Sequence, residues 1–209
     1  VFTAGLVSKK DLEYNSPFKK VKILGSNKNI LKSKKFNIYK NKKKITILVC
    51  PEGLFSETNQ MLKIINQETL NKKKFKFIFR THPLINLDDI KIKKINKNIF
   101  FSKNKDIEKD FRKSDFIFYN GSSVSIQAAM NGLVPINLKD KNAEFSLDPL
   151  YKINKFKVSD PISLEKIIRS IDRNKSKVKM KYEIKNIQNY SRLYFQKLNI
   201  KNLINSLVK

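Results

Sequence analysis

The sequence predicts an α/β protein built on an open, doubly wound parallel sheet, and three observations predict it. From residue 44 onward, short apolar runs rich in Ile, Val and Phe alternate with stretches whose apolar residues recur at helical spacing. The 115–138 stretch, DFIFYNGSSVSIQAAMNGLVPINL, reads as strand, glycine turn, short helix, glycine stop and strand. The residues with chemistry to offer fall in the loops after predicted strands, the edge where such sheets bind ligands.

In order along the chain, residues 1–40 are the least regular part. VFTAGL reads as the end of a strand, 19–26 as a strand running into a glycine turn, and 30–41 as a polar, Lys-rich linker. The run KITILVC, 44–50, is a buried-type strand, and Pro51-Glu52-Gly53 is its turn. Leu54, Thr58, Met61, Leu62 and Ile65 share one helical face. Strands follow at 75–80 and 98–102, then a short helix at 106–114 with Ile107 and Phe111 one turn apart. The next elements are a strand at 115–119, a helix at 122–131, a strand at 134–138 and a short strand at 156–158. After the breaker Pro161, Leu164, Ile167, Ile168 and Ile171 mark a helix over 163–172, and 184–208 is a helical tail in two pieces around Asn199. Short strands alternating with helices imply parallel units with right-handed crossovers.

Within the central stretch, Asn120-Gly121 ends an apolar strand, and Ser122 and Ser123 stand where side-chain oxygens cap free backbone N–H groups. Val124 and Ala128 share a helix face, Gly132 takes the C-terminal glycine position, and Pro135 lies near the start of the next strand. A strand ending in Gly-Ser-Ser at a helix start directs N–H groups, two hydroxyls and the helix dipole at one spot, which makes an anion site and in α/β proteins usually a phosphate site. The plain alternative is that Ser122 caps and Gly121 turns. Other strand-end residues raise the functional reading: Glu52 and Gly53 after the first strand of this unit, Arg80, Thr81, His82 and Pro83 after the second, and residues 139–148 after the fifth. Neither a GxGxxG nor a Walker A pattern is present, against ordinary NAD or ATP sites.

Composition narrows the classes. The 209 residues are enough for one good-sized domain, and 40% hydrophobic content excludes a disordered chain. Forty-five basic against 18 acidic residues give a net charge of +27. A charge of that size suits a polyanionic partner, nucleic acid or an anionic membrane surface. It is spread along the chain, with small clusters at 42–44 and 72–74, and Lys, Asn and Ile are in excess throughout. That pattern favours compositional drift of an AT-rich genome, with weak membrane-surface attraction as a by-product. One cysteine, Cys50, excludes an intramolecular disulfide, and with the single histidine, His82, it argues against a transition-metal site. No run has the length of a transmembrane helix and no signal peptide is visible. The chain opens on Val1 within a structured-looking stretch, which gives the expectation of a fragment or excised domain.

Strand-Pro-Glu-Gly, then R-T-H-P at 80–83, then N-G-S-S-V-x-I-x-A-x-x-x-G-x-x-P-I from Asn120 to Ile136 together resemble the C-terminal half of a GT-B glycosyltransferase. The pattern is most similar to bacterial surface-polysaccharide enzymes of sialyltransferase-like, polysialyltransferase-like and CDP-glycerol-transferase-like type, and covers 44–138. The resemblance implies a Rossmann-like GT-B C-terminal domain that binds a CMP- or UDP-linked sugar donor. It implies that His82 with Pro83 contacts the donor phosphate or nucleotide, and that Ser122 with Ser123 holds phosphate oxygens. Glu52-Gly53 resembles an acidic-Gly element of the sialyltransferase-like members. The catalytic base of such enzymes lies in the N-terminal half. On this reading 1–40 is the end of that half and a linker, 41–183 the nucleotide-binding domain and 184–209 a helical tail. The implied partners are the donor and a glycan or lipid-linked acceptor. The implied location is cytoplasmic, with peripheral contact at the inner face of the membrane.

The chemistry suits these residues. Glycosyl transfer releases a phosphate whose negative charge grows in the transition state, and without a metal or other cofactor that charge needs fixed donors. His82 offers a hydrogen bond or a charge; the alternative is a strand-end histidine bonded to backbone. Arg80 offers a bidentate phosphate contact or else a surface salt bridge. Glu52 binds a ribose hydroxyl or caps the following helix. Glu144 and Asp148 border the sugar pocket or are solvated loop charges. Two other functions stay open: a basic nucleic-acid-binding module without catalysis, disfavoured because no nucleic-acid motif appears, and a sugar-nucleotide epimerase of the same architecture.

Overall fold

The computed structural model describes residues 1–18, 20–28, 44–70, 74–90, 94–139, 148–172 and 177–207. The linker reading at 30–41, the lysine clusters but for Lys44 and Lys74, and Glu144 lie outside them.

Six parallel strands form the main sheet: β3 (Ile45–Cys50), β4 (Phe75–Phe79), β5 (Ile99–Phe101), β6 (Phe116–Tyr119), β7 (Val134–Leu138) and β8 (Lys157–Val158). Their order is β5-β4-β3-β6-β7-β8. The chain builds outward from β3 in one direction, returns beside it at β6, and builds outward in the other. This is the doubly wound, Rossmann-like arrangement, and the expected α/β class holds. The strands carry continuous apolar runs because helices cover both faces. Every residue of β6 and β7 is buried, and Phe75, Phe77, Phe79, Phe116 and Phe118 are the large side chains of the core. Pro135 is tolerated in β7 because β8 pairs only with Asn137 and Leu138, so β7 is an edge where the missing N–H falls.

The helices are α2 (Phe55–Ile65), α3 (Ile107–Lys113), α4 (Val124–Met130), α5 (Pro161–Asp172), α6 (Lys177–Tyr194) and α7 (Ile200–Leu207). Thr58, Met61, Leu62 and Ile65 of α2 are fully buried as the spacing predicts, whereas Leu54 is the N-cap residue and 60% exposed. Asp106 caps α3, its Oδ1 accepting the Glu108 N–H at 2.9 Å. Leu164 and Ile168 of α5 are fully buried.

The two ends of the chain are packed together. Residues 6–15 form a helix, α1 (Leu6–Asn15), which the sequence conceals because its apolar residues do not line one face and none is buried. It lies between two short parallel strands, β1 (Phe2–Thr3) and β2 (Lys22–Ile23). The 196–199 segment is laced to this unit: Gln196 N–H donates to Ala4 O at 2.9 Å, Ser26 N–H to Gln196 O at 2.8 Å and Asn199 N–H to Leu24 O at 2.8 Å. Gly25, with φ +87°, permits the approach, since a side chain there would collide with the Lys197 backbone. Ile184 and Ile187 of α6 belong to the main core, and α6 packs against α4. The tail does break near Asn199, between α6 and α7.

A buried polar knot ties residues 148–154 to the sheet. Tyr119 Oη donates to Asp148 Oδ1 at 2.7 Å and accepts from Asn154 Nδ2 at 3.1 Å, while Asp148 Oδ1 also accepts the Leu150 N–H at 2.8 Å. Asp148 is 2% exposed, so it is neither a solvated loop charge nor free to face a sugar. Tyr119→Phe removes one member of the knot and leaves buried polar atoms short of partners. The expected loss is about 1–3 kcal/mol in urea unfolding.

Candidate functional site

The strands are parallel, so their C-terminal ends share one edge. The crevice of a doubly wound sheet opens where the order reverses, between β3 and β6. Cys50 is in register with Tyr119 there, so Pro51-Glu52-Gly53 and Asn120-Gly121-Ser122 leave the sheet side by side. The side chain of Glu52 lies against Gly121: a Cβ at 121 would stand 2.5 Å from Glu52 Oε1 and 2.7 Å from Cδ. Gly121 has φ +58°, in the left-handed region that glycine accepts without strain.

The β4 loop arrives from the other side. A Cβ at Gly53 would stand 3.2 Å from His82 Nδ1 and 3.4 Å from Leu84 Cδ1. His82 Nδ1 accepts the Leu84 N–H at 3.3 Å, and an accepting Nδ1 places the proton of a neutral imidazole on Nε2. Pro83 follows, exposed, with Leu54, Phe55 and Leu84 forming an exposed apolar rim nearby. The structure thus brings Glu52, Gly53, His82, Pro83, Gly121, Ser122 and Ser123 to one crevice.

Arg80 does not join them. Its guanidinium donates from Nη1 to Asp110 Oδ2 at 2.9 Å and to Asn104 O at 2.7 Å, and from Nη2 to Lys105 O at 3.0 Å. Asp110 is 1% exposed and also accepts from Ser102 Oγ and Asn104 Nδ2. Of the two readings of Arg80, the salt bridge is the one formed, and it is partly buried, locking the ends of β4 and β5 to α3. With both Nη1 donors and one from Nη2 committed, much of the guanidinium is taken up by this flank.

The Ser122-Ser123 turn also differs from expectation. α4 begins at Val124 and has seven residues. Its first N–H groups are already accepted: Val124 N–H by Ser122 Oγ at 3.3 Å, Ser125 N–H by Ser122 O at 3.1 Å and Ile126 N–H by Ser123 O at 3.1 Å. The turn therefore offers the crevice hydroxyls more than helix N–H groups. Ser123 Oγ accepts from Lys28 Nζ at 3.3 Å, which brings a cation from the N-terminal segment to this spot. Sequence reading missed Lys28, and one lysine among so many carries no local signal.

Glu57 was missed as well, although its position was readable. It occupies the third residue of α2, where a glutamate can reach back to backbone before the helix. Its Oε1 accepts the Glu52 N–H at 3.1 Å, so Glu57, and not Glu52, ties the turn to the helix. It is 5% exposed, and its Oε2 has no hydrogen-bond partner among the described residues. Burial pushes its carboxyl up to about 7, with the nearby Glu52 charge adding to the rise against the stabilising Glu52 N–H. Burial also raises Glu52, opposed by His82. Cys50 beneath them is pushed up to about 12 by burial, an unreactive thiol. Among the described residues no three His, Cys, Asp or Glu side chains are grouped to hold a metal ion, and no helix is long and apolar enough to cross a membrane.

No family model matches the chain, and no curated protein matches it. Solved structures do. It is similar to the wall teichoic acid polymerase TagF, with TM-score 0.56 and 13% identity over 90% of this chain and 52% of that one. The Staphylococcus aureus MnaA–UDP co-structure gives TM-score 0.60 and 12% identity over 99% of this chain and 58% of that one. The glycosyltransferase SnogD from Streptomyces nogalater gives 0.52 and 13% over 82% and 46%. The chain spans about half the length of each. At these identities the likeness carries the fold, the Rossmann-like unit from which GT-B enzymes are built.

Two outcomes follow. Gly121→Ala forces a left-handed residue against Glu52; the expected cost is about 1–2 kcal/mol in urea unfolding, together with displacement of the Glu52 side chain. Glu57 titrates above its ordinary 4.5 in the folded chain, so the folded state holds the proton longer than the unfolded state. Its contribution to stability is therefore present at low pH and is lost as pH rises from 4.5 to about 7. Glu57→Gln removes that part of the slope, read as the melting temperature across this window.

Proposed function

We propose that the chain is the nucleotide-sugar-binding part of a metal-independent GT-B glycosyltransferase of bacterial surface-polysaccharide synthesis. The observation that carries the reading is the meeting of three separate loops, at Glu52-Gly53, His82-Pro83 and Gly121-Ser123, in the crevice between β3 and β6. Crevices of this kind bind nucleotides in doubly wound sheets. Similarity to TagF and to MnaA in a UDP co-structure supports a nucleotide-linked donor of the same broad chemistry.

In this reading the donor diphosphate lies between His82 and the Ser122-Ser123 turn. His82 donates from Nε2 to a phosphate oxygen, and the two hydroxyls and Lys28 supply further donors. As the bond from the sugar to the leaving phosphate breaks, negative charge grows on that phosphate, and donors held in place beforehand stabilise it. The half-buried Glu52 carboxylate accepts from a ribose hydroxyl. The apolar rim at Leu54, Phe55 and Leu84 supports the nucleoside. The acceptor is a glycan or lipid-linked glycan, and the group that deprotonates it comes from outside these residues. The reaction takes place in the cytoplasm, with the basic surface drawing the protein to the anionic inner face of the membrane.

The test is calorimetric titration of CMP, CDP, UDP and their sugars at moderate salt. Selective binding of one nucleotide is expected, weakened about 10- to 100-fold by His82→Ala, the worth of a hydrogen bond to a charged group. Arg80→Ala should leave that affinity in place while lowering stability by about 3 kcal/mol, because Asp110 is left buried and unpaired. Equal, weak binding of every polyphosphate, indifferent to His82→Ala and abolished by salt, would assign the binding to net charge and overturn the proposal.

A further inference from the structure

We propose that Glu57 is a positioning residue of this site: its buried carboxyl holds the Pro51–Gly53 turn through the Glu52 N–H, and so sets Glu52 against Gly121 and Gly53 against His82. The inference rests on the donor-site reading only for what the turn is positioned to bind.

The geometry supports it at each link. The N-cap residue of α2, Leu54, has no side chain to accept the first N–H groups of the helix. Glu57 reaches back five residues, past the helix end, to the Glu52 N–H at 3.1 Å. Thr58 turns its hydroxyl to Leu54 O instead, at 2.9 Å, and so does not compete. The turn is also crowded: Glu52 touches Gly121 on one side and Gly53 faces the His82 ring on the other. A small shift of the turn therefore moves all three loops of the crevice. Interiors transmit such shifts instead of absorbing them.

The second oxygen bears on the protonation state of Glu57. Oε2 is buried with no hydrogen-bond partner among the described residues, which a carboxylate tolerates badly and a neutral carboxyl tolerates better. The charge acting on Glu57 is that of Glu52, and His82 acts on Glu52 in turn; Arg80 and Asp110, at the neighbouring strand end, act on Cys50. As a neutral acceptor, Glu57 holds the turn without adding a second negative charge beside an incoming phosphate. Ionised, it holds the turn but repels the phosphate.

Two variants separate positioning from bulk stability. Glu57→Gln keeps an acceptor for the Glu52 N–H and stays neutral at every pH; Glu57→Ala removes the acceptor. Hydrogen exchange of the ligand-free full chain should show the Glu52 amide exchanging at least ten-fold faster in Glu57→Ala, with Glu57→Gln like wild type and the amides of β4 unchanged in both. Titration with UDP and CDP between pH 6 and 8 should show wild-type affinity falling with pH more steeply than that of Glu57→Gln, and Glu57→Ala binding at least ten-fold more weakly. If the Glu52 amide exchanges alike in wild type and Glu57→Ala, the positioning role is overturned, whatever binds. If the amide responds as expected and neither nucleotide binds wild type, the positioning of the turn stands and the donor-site reading falls. Identical pH profiles for wild type and Glu57→Gln, with nucleotide bound, would overturn the neutral-acceptor account.

Discussion

The pairing of β3 with β6 is the constraint from which the rest of the structure follows. These strands are separated in the chain by α2, β4, β5 and α3, yet they lie in register from Ile47 against Phe116 to Cys50 against Tyr119. Once they pair, β4 and β5 must build away on one side and β7 and β8 on the other. The two turns that leave them have no helix between, and a crevice remains. Parallel pairs of this kind are stable only when covered on both faces, which is why all four β6 residues are buried and apolar.

The crevice is organised by absence of side chains as much as by their presence. Gly121 lets the β6 turn pass against Glu52, and Gly53 lets the β3 turn pass against His82. Around this tight meeting point the ionisable groups divide into two sets. Arg80 and Asp110 spend their charges on each other and on backbone, stiffening the flank. Glu52, Glu57 and His82 stay at the crevice, with the two carboxyls raised first of all by burial. Each set joins strand-end residues to a helix, Arg80 to Asp110 of α3 and Glu52 to Glu57 of α2.

The departures from sequence expectation have a common origin. Arg80 follows a strand as His82 does, and nothing local distinguishes them; Asp110, thirty residues on, captures the arginine. Ser122 and Ser123 sit at a helix start as read, but they accept the first N–H groups of α4 themselves, and the turn reaches Lys28 across the chain. Asp148 looks like a loop charge until Tyr119 is seen to bond it in the interior. α1 escapes notice because its packing partner is α6, at the other end of the chain.

The sequence by itself determined the alternation of strands and helices, the positions of the turns and the residues at the strand ends, because apolar period, glycine and proline act within a few residues of themselves. It also placed the candidate loops on one edge, since parallel strands leave no other choice. Only the tertiary structure decided which strand-end groups face the crevice and which are consumed, that the two termini are laced together, and that Glu57 supports the turn of Glu52. Those outcomes depend on hydrogen bonds and burial between residues far apart in the chain, and no local pattern encodes the partner.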